Sequence, residues 1–255
     1  MSDNAATSTT DVRLATELAV AAGEVLLELR EGGLSGKELK DAGDRTSHEF
    51  LLDALARHRP DDAVLSEEGA DDAARLSAQR VWIVDPLDGT REYSEPGRTD
   101  WAVHVALWCS GDLVAGAVAR PAAGVVHSSE EPKAVSPAAH DRIRLAVSRS
   151  RPPEFVTELA DVLGAELVSM GSAGVKAMSV VTGESDAYVH AGGQYEWDSA
   201  APVSVARAAG MHTSRVDGSP LVYNQADPWL PDLIIARPSV LAQLRRGLDA
   251  VAATA

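Results

Sequence analysis

From Asp11 to Arg30, apolar residues recur at helical spacing: Leu14, Leu18, Val25 and Leu29, with alanines between them. Asp11 suits an N-cap and Gly32-Gly33 a C-terminal stop, so the pattern predicts a helix between them. Residues 1–10 are small and polar and read as a disordered tail. A Gly-rich, charged connector over 31–43 holds Lys37 and Lys40. A second helical pattern follows from Thr46 to Arg59, with Phe50, Leu51 and Leu55, and Pro60 ends it. Asp44 falls just before that helix, at or near its N-cap.

The pattern then becomes strand-like. Ala63–Ser66 is a short apolar strand leading into Glu67-Glu68-Gly69, and Val81–Val84 is a second β-favouring run. Pro86 denies the ladder a donor, so this strand is expected to stop near Asp85. Asp100 to Trp108, Leu113 to Ala119 and Gly124 to Ser128 form an antiparallel meander, with Gly111-Asp112 as a hairpin signal. Residues 129–140 read as a surface loop.

Strands and helices alternate beyond that loop: strand Ile143–Ser148, helix Glu154–Leu163, strand Glu166–Ser169 and helix Val175–Val181. Then come strand Asp186–His190, a Gly192-Gly193 loop, helix Ser199–Ala209, strands at Val222-Tyr223 and Leu233–Ile235, and a final helix Pro238–Ala252. The chain thus divides into an α+β half over 11–142 and an α/β half over 143–255.

Composition narrows the partners. Apolar residues make up 45% of the chain, enough for a packed core, and the net charge of −15 disfavours a nucleic-acid polymer or an anionic membrane. A small anionic substrate held through a cation stays compatible, because a bound dication reverses the local field. Cys109 is the single cysteine, which excludes an internal disulfide, and its apolar setting places it in the core. No apolar run reaches membrane-spanning length and no signal peptide is legible, which points to the cytoplasm.

Candidate chemistry gathers around residues 81–93. Asp85 and Asp88 stand three residues apart just past a buried strand, Gly89 permits close backbone approach, and Thr90 adds a hydroxyl. Crowded carboxylates of this kind are usually relieved by a hard dication, although a solvated turn would use the same residues. Asp44, Glu67 and Asp198 also lie at element junctions. Singly, Asp44 and Asp198 read as N-caps worth about 1 kcal/mol each, and Glu67 as a loop glutamate in water. No P-loop, nucleophile elbow or dinucleotide fingerprint is present, and the seven histidines lack zinc-protease spacing.

Taken together these residues resemble a known family. Asp85-Pro-Leu-Asp88-Gly-Thr90, the later Glu196-Trp197-Asp198-Ser-Ala-Ala and the upstream Leu65-Ser66-Glu67-Glu68 are similar to three motifs of the magnesium-dependent, lithium-sensitive inositol monophosphatase superfamily. Asp44 falls where that family ends a Thr-x-x-Asp motif, here without the threonine. The resemblance covers roughly residues 11–236 and implies a layered αβαβα fold with its site between the two halves. Two features resemble the 3′(2′),5′-bisphosphate nucleotidase (CysQ) branch: Ser148-Arg149-Ser150, with Arg151 in place of a histidine, and Glu196 before the Trp-Asp pair.

The resemblance implies two or three Mg²⁺, with Li⁺ as inhibitor. Glu67, Asp85 and the Leu87 carbonyl would hold the first ion, Asp85 would bridge to a second completed by Asp88 and Asp198, and Glu67 would reach a third. Asp44 and Thr90 would orient the attacking water, and the Gly89 and Thr90 amides would bind the phosphoryl group. Arg149, Ser172 and Glu196 are the expected contacts to the rest of the substrate. The implied reaction is removal of the 3′-phosphate of 3′-phosphoadenosine 5′-phosphate, a by-product of sulfate assimilation. Inositol 1-phosphate or fructose 1,6-bisphosphate hydrolysis is the alternative. A non-catalytic relative would have lost a metal ligand, and Glu67, Asp85, Asp88 and Asp198 are all kept. The family also points to a homodimer.

Overall fold

The computed structural model describes residues 2–130, 132 and 141–253, with side chains from Thr10 onward. Two helices lead, α1 (Ser2–Glu31) and α2 (Gly36–His58). Strand β1 (Ala63–Ser66) lies parallel to β2 (Arg80–Asp88), which hands over to a short helix, α3 (Thr90–Ser94). Antiparallel strands β3 (Ala102–Cys109), β4 (Asp112–Arg120) and β5 (Val125–Ser128) complete a five-stranded sheet in chain order. Residues 131 and 133–140 of the expected surface loop lie outside the described residues.

The rest of the chain runs β6 (Arg144–Ser148), α4 (Glu154–Leu163), β7 (Glu166–Met170), α5 (Ala173–Thr182), β8 (Ala187–Tyr195) and α6 (Glu196–Ala208). It closes with β9 (His212–Ser214), β10 (Trp229–Ala236) and α7 (Leu241–Ala252), and the second sheet has the order β7-β6-β8-β10-β9.

Strand alternation sorts the apolar residues into separate layers. Trp82, Val84, Val103 and Val105 face Leu18, Leu26, Leu51 and Leu55 of the first two helices. Their strand neighbours Val81, Ile83 and Ala106 face the other way, onto Met178 and Val181 of α5 and Val203 and Ala206 of α6. Tyr188, Leu233 and Ile235 of the second sheet cover the far side of those two helices. The outer face of that sheet, with Val189 and Ile234, is closed by Leu159 of α4 and Leu244 and Leu248 of α7. The order is helices, sheet, helices, sheet, helices: the layered αβαβα fold expected.

Six local expectations need correction. Helix α2 begins at Gly36 and not near Thr46, so the connector 31–43 is largely helical and Asp44 lies inside the helix. Lys37, Glu38, Leu39, Lys40 and Ala42 are good helix formers, and Leu39 and Ala42 bury against the core. Helix α1 likewise starts at Ser2, upstream of Asp11, which is buried and paired with Arg59 and Arg80. Strand β2 continues through Pro86 with a register shift between Asp85 and Asp88. Its pairing to β1 ends at Val84, so the missing proline N–H breaks no bond to β1. Strand β8 runs through Gly192-Gly193, both at positive φ, to pair Tyr195 with Trp229, whereas Val222-Tyr223 forms no strand. Cys109, expected in the core, is half-buried at the end of β3.

Candidate active site

The site starts from the end of β2. Asp85 is buried, and its Oδ1 accepts from the Leu87 amide at 3.0 Å, which curls the chain back on its own carboxylate. Gly89 then turns the chain with φ +86°, in the left-handed region. A Cβ there would come within 3.2 Å of the Ser172 side chain and 3.3 Å of the Asp100 carbonyl oxygen, so glycine also serves the close approach of the two halves. Thr90 opens α3, with its hydroxyl 3.1 Å from the Leu87 carbonyl and 3.4 Å from Asp44 Oδ1.

Asp44 reaches that position because Gly43 lets α2 press onto the loop. A Cβ on Gly43 would fall 2.7 Å from the Tyr93 ring and 2.9 Å from Leu87. Glycine inside a helix costs about 1 kcal/mol relative to alanine. Here it is the only residue that leaves room for Tyr93, whose hydroxyl donates to the Leu26 carbonyl at 2.9 Å.

Asp88 crosses to the second half. Its carboxylate accepts from the Ser172 hydroxyl and from the amides of Ala173 (3.0 Å) and Gly174 (2.7 Å), so it caps the start of α5. Asp198 sits in the first turn of α6 and accepts from the Tyr195 amide at 2.7 Å. It is a capping residue as well as a wall of the site.

His104, on β3, lies beneath these carboxylates and was not singled out by the sequence. Its Nε2 is 3.1 Å from Asp88 Oδ2, its Nδ1 is 3.1 Å from the Trp197 carbonyl oxygen, and the ring is fully buried. Asp85, Asp88 and His104 form a cluster whose ligand atoms lie close enough to share an ion. A Cβ at Gly174 would fall 2.0 Å from His104 Nε2, so α5 admits the imidazole through that glycine alone. The available signal was a histidine inside an otherwise apolar alternating strand.

The charges interact strongly. Burial, followed by the charges of Glu67, Asp88 and Asp198, raises Asp85 well above the ordinary carboxylate range. Glu67 opens toward the cleft yet is hemmed in by protein; that desolvation and then Asp198 push it up to about 7, while a hydrogen bond with Asp85 opposes the rise. Burial and the Asp88 charge push Asp198 to about 6. Burial and then Glu68 push Asp44 to about 6, against a lowering contact from Thr90. At Asp88 burial is outweighed by the imidazole of His104, helped by Lys176 and the Ser172 hydroxyl, and the carboxyl is held low.

Glu67, Asp88, Thr90, Ser172, Lys176 and Asp198 line a cleft of about 920 Å³ to which both halves contribute; Asp85 meets this lining through Glu67, and Asp44 through Thr90. Lys176 was also missed from sequence: it is buried in α5 and donates to the Ser172 carbonyl at 2.6 Å. Two expected substrate contacts sit elsewhere. Arg149 is engaged by Glu92 at 2.8 Å and Glu95 at 2.9 Å, tying the two halves together outside the cleft lining. Glu196 is buried and accepts from the amides of Asn224 (2.6 Å) and Gln225 (2.8 Å), where it fixes a turn. Local order along the chain does not show which partner a side chain meets. The neighbouring Arg151, with Lys40 and Arg91, lines the cleft instead.

A layered αβαβα fold with convergent acidic residues just past β1, at the end of β2 and at the start of α6 defines a class of phosphate-processing proteins. The inositol monophosphatase family model matches residues 8–246, and the chain belongs to that family. It is 54% identical over 245 residues to a 3′-phosphoadenosine 5′-phosphate phosphatase of Mycobacterium leprae, covering 91% of this chain and 90% of that protein. It is 31% identical over 233 residues to the 3′(2′),5′-bisphosphate nucleotidase CysQ of Escherichia coli, covering 84% and 94%. Among solved structures, CysQ from Bacteroides thetaiotaomicron aligns with a TM-score of 0.78 and 29% identity over 89% of this chain and 97% of that one. No helix among the described residues is long and apolar enough to cross a membrane.

Proposed function

We propose that this protein is a Mg²⁺-dependent phosphomonoesterase that converts 3′-phosphoadenosine 5′-phosphate to AMP and phosphate in the cytoplasm. The observation that carries the reading is the convergence of Glu67, Asp88, Thr90 and Asp198 on one cleft, backed by Asp85 against Glu67 and by Asp44 against Thr90, in a chain so similar to proteins named for that reaction.

The donor set fits a hard dication. Glu67, Asp85, Asp88 and Asp198 offer oxygen only, and burial, followed by their mutual repulsion, raises three of the four above the ordinary carboxylate range. A bound cation would relieve that repulsion. These four carboxylates, with the Leu87 carbonyl, would hold Mg²⁺, and Li⁺ would compete there. When bound, the metal supplies charge neutralisation at the phosphoryl group and a lowered pKa for bound water.

The remaining steps belong to the chain. Thr90 donates to Asp44 or to the Leu87 carbonyl, and the Asp44 carboxylate accepts from the hydroxyl that orients the attacking water. Asp44 is thus the proton acceptor of the pair. The amides of Gly89 and Thr90 hold the phosphoryl oxygens. Arg151, Lys40 and Arg91, on the cleft wall, meet the second phosphate of the substrate. No covalent phosphoenzyme is required.

The test is phosphate release from 3′-phosphoadenosine 5′-phosphate, inositol 1-phosphate and fructose 1,6-bisphosphate in parallel, with Mg²⁺ and with added Li⁺. The bisphosphorylated nucleotide is expected to give the highest kcat/KM and Li⁺ to inhibit. A kcat/KM for the nucleotide no better than for inositol 1-phosphate overturns the substrate assignment.

A further inference from the structure

Two large aromatic side chains, Tyr195 and Trp229, are conspicuously exposed among the described residues, 42% and 45% respectively, and both line the cleft that holds the acidic cluster. Leaving such area in water forfeits burial energy, so a clustered, open aromatic surface marks a binding site. The cluster is built, not accidental. Tyr195 stacks on Trp197 at 4.7 Å between ring centroids with planes 9° apart, and Trp229 meets Tyr195 edge-on at 5.6 Å. Strand pairing sets Tyr195 opposite Trp229. Gly193 clears the space: a Cβ there would fall 1.7 Å from the Trp229 ring.

A second, independent feature lies beside it. Gln194 lines the same cleft and is only 6% exposed, yet neither Nε2 nor Oε1 of its carboxamide has a hydrogen-bond partner among the described residues. A buried amide left without partners costs free energy, and such groups in folded proteins usually await a ligand or water. A carboxamide offers one donor and one acceptor side by side. Adenine presents the complement, an N6 amino donor next to the N7 acceptor.

We infer that Gln194, Tyr195 and Trp229 form the subsite for the adenine base of the substrate, with the aromatic wall stacking the ring and Gln194 reading its N6–N7 edge. This deepens the phosphomonoesterase reading and rests on it for the reaction, but not for the binding. The subsite shares the cleft with Asp88 and Asp198, as the base and the scissile phosphate of one nucleotide require. Asp198 and Trp197 are neighbours in α6, so the base wall and the acidic cluster are held by one helix start.

The experiment compares wild type with Trp229→Ala, Tyr195→Ala and Gln194→Met, each checked for fold by circular dichroism and melting. In each variant, kcat/KM for 3′-phosphoadenosine 5′-phosphate relative to that for inositol 1-phosphate should fall by about tenfold or more, the scale of one lost base-stacking contact. Binding of AMP and of inosine 5′-monophosphate is measured in parallel by quenching of tryptophan fluorescence, without turnover. Wild type should favour AMP, because hypoxanthine offers two acceptors where Gln194 needs a donor, and Gln194→Met should erase the preference. An unchanged kcat/KM ratio in the aromatic variants overturns the stacking wall, and equal binding of the two nucleotides by wild type overturns the role of Gln194. If wild type releases no phosphate from the nucleotide, the reaction assignment fails. The subsite then stands if AMP still binds and the variants weaken it, and falls if they do not.

Discussion

The acid loop at the end of β2 and the aromatic wall at the end of β8 face one cleft but are built in opposite ways. The loop concentrates its chemistry in six consecutive residues, Asp85 to Thr90, and one left-handed glycine sets its shape. The wall draws Gln194, Tyr195 and Trp197 from one segment and Trp229 from a strand that joins only through sheet pairing. The loop is charged, buried and locked by neighbours on both sides. The wall is neutral, its rings packed on one another but open to the cleft at Tyr195 and Trp229. Chemistry that must not vary sits where the backbone dictates it, and recognition sits where tertiary packing leaves room.

The sharpest break in this contrast is Asp88→Asn. The asparagine oxygen still accepts from an α5 amide, so circular dichroism should show a folded protein. Activity at saturating Mg²⁺ should fall by more than about 100-fold, since even outer-shell changes at metal sites cost up to about that much. Wild-type-like turnover would show that the loop is only a cap.

Next in size is the response to metal removal and pH. Glu67 near 7, Asp198 near 6 and Asp44 near 6 all lie above the unfolded carboxylate value of about 4. The metal-free fold therefore holds protons more tightly than the unfolded chain. Its stability from these groups is full below about pH 4 and is lost as pH rises through about 6 to 7. In chelator, melting between pH 5 and 8 should show a loss of about 2 kcal/mol, discounted for screening in the open cleft. Added Mg²⁺ should abolish the slope and raise Tm. A chelated protein equally stable at pH 5 and pH 8 would contradict the burial and repulsion described for these carboxylates.

Gly43→Ala tests how the loop is positioned. The added methyl collides with Tyr93 and Leu87, and overpacking of this kind costs about 1–3 kcal/mol. Because Asp44 is the next residue, kcat should drop while the KM for substrate stays close to wild type. A variant that keeps kcat would mean that the 3.4 Å contact between Asp44 and Thr90 is not needed in turnover.

The smallest effect separates two adjacent arginines. Arg151→Ala should raise KM for the bisphosphorylated nucleotide more than for inositol 1-phosphate, because Arg151 lines the cleft. Arg149→Ala should lower Tm slightly and leave that ratio unchanged, because its guanidinium is committed to Glu92 and Glu95. The reverse ordering would restore Arg149 as the phosphate contact.

The amino-acid pattern alone determined most elements, the meander, the alternating second half and the acid loop. Short-range rules suffice there: strand period, turn glycines and carboxylates three residues apart. Similarity in motif order gave the family. What it could not give was decided by packing across distance. Helix α2 extends back to Gly36 because Leu39 and Ala42 find a core to bury in, and that moves Asp44 from a cap to a helix interior. His104 becomes part of the site only because Gly174, on another element, lacks a side chain. Arg149 and Glu196 leave the substrate list because their partners, Glu92 and the amides at 224 and 225, lie far away in the chain. A side chain's type is written in the sequence, but its partner is set by which elements share a layer, and that follows from the burial of the whole core.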